Sequence, residues 1–338
     1  MRATILHAPG DIRVETWADP SIERPTDAIV RVVAACVCGS DLWPYRGANP
    51  VHEPRTIGHE AIGVVEAVGA DVARVRVGDF VIVPFDHCCG RCVHCLAGQT
   101  QGCLELAMTA SGQAELTRVT NADATCFVLD DAPAVEQHAA VLALSDVLPT
   151  GHHAAVSAGV ARGMTAVVVG DGAVGLCGVL SARRLGAERI IALSRNPARQ
   201  RLATAFGATD LVDSRGDDAV EAVRELTDGV GADAVLECVG TEQSMLTAFR
   251  VARPGATVGF VGVPHGTQIP WPTAFRGNIG LRGGMAPVVR YLPELVPDVL
   301  SGDLDASAVF DLELPLDDAA EAYRAMDERR AIKVLLRP

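Results

Sequence analysis

TAVVVGDGAVGLCGVLSARRLG, residues Thr165–Gly186, joins a continuous apolar run to a glycine-rich turn and a second apolar stretch. It is long enough to suggest a membrane span, but Asp171 and four glycines before Ser181 interrupt it. A buried strand turning into a buried helix accounts for it better. Gly170-Asp171-Gly172-Ala173-Val174-Gly175 then reads G-x-G-x-x-G at the strand-to-helix junction. The pattern is weak alone and gains meaning from that position. Gly170 permits the tight turn, Gly172 lets a pyrophosphate approach the backbone, and Gly175 lets helix and strand pack closely. Ala173 and Val174 open a helix whose unpaired N–H groups face an anion. The stretch predicts a dinucleotide site.

Working outward, the chain continues as RIIALS, a helix opened by Asn196-Pro197, then TDLVDS, ADAVLECVG, ATVGFVGVP and IGLRGG. Strand alternating with helix predicts a parallel sheet covered on both faces. This places a doubly wound domain at residues 149–289. Upstream, residues 1–148 hold short β-type runs such as AIVRVVAACV, HEAIGVVEAVG and VGDFVIVPF, divided by Gly, Pro and Asp. Residues 290–338 add a helix, a strand, a second helix and a terminal strand. The expected fold class is α/β, a β-rich domain followed by the parallel sheet. A chain of 338 residues suits two domains at roughly 150 residues each.

An NAD site usually carries Asp or Glu about twenty residues after the phosphate loop, bonded to the ribose 2′-hydroxyl. This chain has Leu193-Ser194-Arg195 there. With no carboxylate to repel it, a 2′-phosphate could be held by the Ser194 hydroxyl and the Arg195 guanidinium. NADP(H) is therefore expected over NAD(H).

A net charge of −13 argues against a nucleic-acid partner, because a phosphate backbone needs a basic footprint. MRATILHAPGDIRVE has no apolar run of about 7–15 residues like that of a secretory signal. A soluble, cytoplasmic protein without membrane contact is expected. In that compartment clustered cysteines bind metal more often than they form disulfides. CGRCVHCLAGQTQGC, residues 89–103, spaces Cys89, Cys92, Cys95 and Cys103 as C-x2-C-x2-C-x7-C. Four thiolates complete a tetrahedron around a structural Zn²⁺, within a lobe spanning about residues 88–104. Cys88 could shift the register by one; Cys89 is preferred because Gly90 follows it. Cys36, Cys88, Cys126, Cys177 and Cys238 read as core thiols. His152 and His153 read as the start of a helix.

Three scattered pieces remain: CVCGSD at 36–41, IGHE at 57–60 and ALSDVLPTG at 143–151. Cys38, His59 and Asp146 offer one thiolate, one imidazole and one carboxylate, a set that suits Zn²⁺ with an open fourth position. Taken singly, each also reads as a buried thiol, a satisfied histidine and a turn residue.

GHE, CGSD, the cysteine loop and the downstream G-x-G-x-x-G occur together and in this order. The combination resembles the zinc-dependent alcohol dehydrogenases of the medium-chain dehydrogenase/reductase family, over essentially the whole chain. The resemblance implies a GroES-like β-domain, a Rossmann domain and a C-terminal return to the first domain. It implies Cys38, His59 and Asp146 as ligands of a catalytic zinc, with Cys89, Cys92, Cys95 and Cys103 holding a second ion. Glu60 matches a glutamate able to approach the metal. Asp41 matches the carboxylate that orients the liganding histidine. Ser40 matches the first member of the proton relay. Some relatives end that relay with a histidine where this chain has Trp43, so His52 or water is expected to substitute.

The implied reaction is reversible hydride transfer between a primary or secondary alcohol, including polyols, and NADP⁺. An NAD-dependent polyol or threonine-type dehydrogenase is the alternative. A zinc-free quinone or enoyl reductase, or a non-catalytic binding protein, would share the fold without Cys38 and His59 as ligands. By resemblance the chain is expected to form a homotetramer or homodimer.

Overall fold

The computed structural model describes all 338 residues. They form two compact units, one of Met1–Asp146 with Pro287–Pro338 and one of Val147–Ala286.

In the second unit six parallel strands lie in the order Asp210–Val212, Arg189–Leu193, Thr165–Val169, Ala232–Glu237, Ala252–Phe260, Gly280–Gly283. Numbered within the unit this is 3-2-1-4-5-6, the doubly wound order of a dinucleotide-binding sheet. TAVVV lies at its centre, and its alanine and valines are buried because helices cover both faces. Val167, Ile191, Val235 and Val258 pack with Phe249 and Val223 of neighbouring helices. Burial of each such side chain stabilises the unit by about 1.5–3 kcal/mol.

Local chemistry sets the helix ends. The Asn196 side chain accepts from the Ala198 and Arg199 N–H groups at 2.9 and 3.4 Å, and Pro197 fills the first turn. The helix Val147–Ala158 starts five residues before His152, so His152 and His153 lie in its second turn rather than at its start.

The first unit is built on a seven-stranded sheet. Its central strand Ala28–Cys36 pairs antiparallel with Ala61–Val68, with Leu116–Val119 and with the C-terminal strand Lys333–Arg337. Only Phe310–Pro315, paired to Lys333–Arg337, runs parallel to its neighbour. The chain's last strand thus sits beside Cys36 and brings Lys333 into the interior of this unit. No helix is long and apolar enough to cross a membrane.

Candidate active site and metal centres

The CGSD run folds as one tight turn. Cys38 stands at its entrance, and Asp41 reaches back to accept from the Cys38 backbone N–H at 2.9 Å. A carboxylate three residues into a helical turn commonly satisfies the first N–H in this way. The other Asp41 oxygen meets His59 Nδ1 at 3.2 Å. That bond puts the proton on Nδ1 and leaves Nε2 free to face the opposite way.

Nε2 faces the remaining donors. Asp146 Oδ2 lies 3.4 Å from it and 3.7 Å from Cys38 Sγ, while Glu60 Oε1 lies 4.0 Å from Nε2. Ligand atoms of Cys38, His59, Glu60 and Asp146 all lie within 4.8 Å of one another. Asp146 is fixed through its neighbour Ser145, whose carbonyl accepts from the Phe85 N–H at 3.2 Å. The buried Phe85 ring stands edge-on to His59 at 6.2 Å.

The electrostatics of this group call for a cation. Burial pushes the Cys38 thiol and the Glu60 carboxyl up, and neighbouring acidic groups add to both. Burial presses His59 towards neutrality, but Asp41, Cys38 and Asp146 outweigh it and raise its pKa well above 6.5. Glu60 Oε2 is buried without a hydrogen-bond partner. A sulfur, an imidazole nitrogen and two carboxylates, one with an orphaned oxygen, fit a divalent ion of borderline softness.

The cysteine loop forms a second cluster, with the sulfurs of Cys89, Cys92, Cys95 and Cys103 within 4.8 Å of one another. Backbone N–H groups of Cys89 and Glu105 point at Cys103 Sγ at 3.2 and 3.3 Å, and that of Cys92 points at Cys89 Sγ at 3.4 Å. Such donors stabilise thiolates. Cys88 packs against this cluster but lies outside the four-sulfur set, and its thiol donates to the Ala124 carbonyl at 3.5 Å. The donor set fits a closed four-sulfur zinc site.

In the other unit, each glycine of the phosphate loop has its own steric reason. Gly170 has φ +125°, with Val239 packed where a Cβ would stand. A Cβ on Gly175 would lie 2.1 Å from the Gly170 carbonyl oxygen. Around Gly172 a Cβ would meet nothing within 4 Å. Gly172 caps the helix Ala173–Arg184 without a side-chain hydrogen bond, so the N–H groups following it are open to an anion. That cradle fits a pyrophosphate.

A family profile described as "Alcohol dehydrogenase GroES-like domain" matches residues 24–131, and one described as "Zinc-binding dehydrogenase" matches 173–300. A Mycobacterium tuberculosis protein described as "Probable zinc-binding alcohol dehydrogenase" is 38% identical, over 100% of this chain and 89% of its own. The chain belongs to the zinc-type alcohol dehydrogenases of the medium-chain dehydrogenase/reductase family. Alcohol dehydrogenase from Thermus sp. ATN1 superposes with a TM-score of 0.92 at 32% identity, covering 100% of this chain and 99% of that one. A Sinorhizobium meliloti structure bound to NADP superposes with a TM-score of 0.83 at 27% identity, covering 100% and 99%.

This alcohol dehydrogenase departs from expectation at the end of the second strand of its parallel sheet. Ser194 is buried, and its hydroxyl donates to Asp171 Oδ2 at 3.0 Å. The view that no carboxylate stands there is therefore corrected: it comes from the phosphate loop itself rather than from the end of the second strand. Arg199 Nη1 lies 3.5 Å from Asp171 Oδ1 and matches part of its charge. Arg195 is exposed. Of the residues expected to form a proton relay, Ser40 places its Oγ 3.4 Å from His59 Nε2, whereas His52 is exposed.

Two residues escaped the sequence reading. Lys333 Nζ donates to Glu60 Oε1 at 2.6 Å and to the Val37 carbonyl at 3.3 Å, with both Lys333 and Glu60 fully buried. Burial lowers the Lys333 pKa, but the surrounding Cys36, Glu60 and Cys38 raise it further, well above 10.5. A signal did exist, since Lys333 is the one charge entering the apolar run Val334–Leu336. Gln113 is the other, and nothing in SGQAEL marks it.

Proposed function

We propose that the chain is a two-zinc, NADP(H)-dependent alcohol dehydrogenase that interconverts small primary or secondary alcohols with aldehydes or ketones. The observation that carries the reading is the division of labour within His59. Its Nδ1 is held by Asp41 at 3.2 Å, while Nε2 faces Cys38, Asp146 and Glu60. Cys38, His59 and Asp146 would hold the catalytic ion, and Cys89, Cys92, Cys95 and Cys103 the structural one.

When bound, zinc supplies Lewis acidity to the alcohol oxygen and the nicotinamide supplies the hydride acceptor. The chain's residues do the rest. Asp41 keeps the His59 proton on Nδ1, so that Nε2 presents its lone pair to the ion. Ser40, half-buried and adjacent to Nε2, accepts the substrate hydroxyl proton at Oγ and releases its own to solvent water. Phe85 covers one side of His59 and limits water. Lys333 holds Glu60 beside the donors and balances its charge.

The test is metal content with activity. The wild-type chain should carry about two zinc ions, and His59→Ala about one, with folding retained and turnover lost. Full turnover by His59→Ala would sink the assignment.

For the cofactor, the exposed Arg195 and the relative bound to NADP support NADP(H). A second reading, NAD(H), is favoured by Asp171, whose carboxylate could accept from a ribose hydroxyl. On the first reading Arg195→Ala removes roughly ten- to a hundred-fold of the preference for NADP⁺, the equivalent of about 1.5–3 kcal/mol, and Asp171→Asn increases it. On the second, wild type prefers NAD⁺ and Asp171→Asn weakens its binding.

A further inference from the structure

The Asp41 carboxylate that fixes His59 is itself fixed, by a residue more than seventy positions away in sequence. Gln113 is fully buried, and every polar atom of its side chain is engaged. Nε2 donates to the Cys36 carbonyl at 3.0 Å and to Asp41 Oδ2 at 3.1 Å; Oε1 accepts from the Tyr323 hydroxyl at 3.1 Å. The amide orientation follows from chemistry. A carbonyl and a carboxylate both need donors, so only the NH₂ end can face them. Tyr323, buried in the helix Ala319–Asp327, then donates to the oxygen end.

The same residue grips the backbone before His59. Gly58 has φ +93°, and a Cβ on it would lie 2.4 Å from Gln113 Cγ and 2.7 Å from Gln113 N. The Gln113 N–H donates to the Ile57 carbonyl at 3.3 Å, and the Gly112 N–H donates to the Gly58 carbonyl at 2.9 Å. Gln113 therefore touches the approach to both Cys38, through Cys36 and Asp41, and His59, through Asp41 and Gly58. An apolar residue of equal size would fill the space and leave Asp41 Oδ2 short of one donor.

We infer that Gln113, oriented by Tyr323, is a positioning residue for the Cys38–His59 pair, setting how tightly the catalytic ion is held. This rests on the reading of Cys38, His59 and Asp146 as ligands. Residues that orient a metal's ligands typically govern 10–100-fold in metal affinity.

The experiment follows zinc release from the holoenzyme into a colorimetric chelator. Wild type should release in two phases, and His59→Ala should lack one of them, which assigns that phase to the catalytic ion. Gln113→Met, similar in size and without donors, should accelerate the assigned phase about 10–100-fold while leaving the other phase unchanged. Gln113→Glu keeps the shape and the acceptor for Tyr323 but loses both donors, and should behave at least as severely. Tyr323→Phe should give a smaller acceleration of the same phase. An unchanged assigned phase in Gln113→Met overturns the inference. So does equal acceleration of both phases, which marks general loosening. Should Gln113→Met fail to fold, Gln113→Glu and Tyr323→Phe decide on the same criteria. If wild type shows no phase that His59→Ala removes, the ligand assignment fails first and this inference falls with it.

Discussion

Burial without a partner is costly for a carboxylate, and Asp86 is the clearest example in this chain. It is fully buried, no other residue donates to either oxygen, and burial, only partly opposed by its own backbone N–H, pushes its pKa up from 3.8 to about 7. An acid whose pKa is raised on folding has its full stability below the unfolded value. That stability is lost as pH rises from about 4 through 7. Each pKa unit corresponds to about 1.4 kcal/mol, so the full cost is at most about 4 kcal/mol. Asp86→Asn removes the charge but leaves a buried amide to satisfy, at about 1–3 kcal/mol. The variant should therefore melt higher than wild type at pH 8, with the difference closing towards pH 5. A pH-independent difference would place the effect in packing rather than in ionisation.

At the scale of elements, two short segments allow paired tests. In the phosphate loop, Gly172→Ala meets no atom of the protein, whereas Gly175→Ala collides with the Gly170 carbonyl. Gly172→Ala should keep the wild-type melting temperature and weaken nicotinamide-cofactor binding tenfold or more, about 1.4 kcal/mol. Gly175→Ala should lose stability itself. In the cysteine loop, Cys103→Ser should cost one zinc ion and lower the melting temperature, while Cys88→Ser keeps both ions. These elements were legible because their chemistry is local. Glycine spacing at a strand-to-helix junction and repeated C-x2-C spacing carry their geometry within about fifteen residues. Lys333 left only a faint trace, one charge at the head of an apolar run, and Gln113 left none, because each meets partners far away in sequence that only the folded chain brings together. Lys333 reaches Glu60 only because the last strand lies beside Ala28–Cys36. Asp171 was misjudged for a related reason. An acidic group was sought only at the end of the second strand, and the fold brings one to Ser194 from the loop after the first.

At the scale of the whole molecule, both clusters of metal-ligating residues and the buried network around them belong to one compact unit, and the phosphate loop belongs to the other. The first unit takes in the last fifty-two residues, Pro287–Pro338, which contribute Tyr323 and Lys333 to the network. Family membership rests on the whole chain. The catalytic account rests on a narrower claim, that Cys38, His59 and Asp146 hold one divalent ion. The most direct measurement is an anomalous-scattering map at the zinc absorption edge from crystals of the purified holoenzyme. The account predicts two peaks per chain, one bonded to Cys38, His59 and Asp146 and one within the four-cysteine loop. A single peak in the cysteine loop, with no density joining the other three side chains, would contradict it.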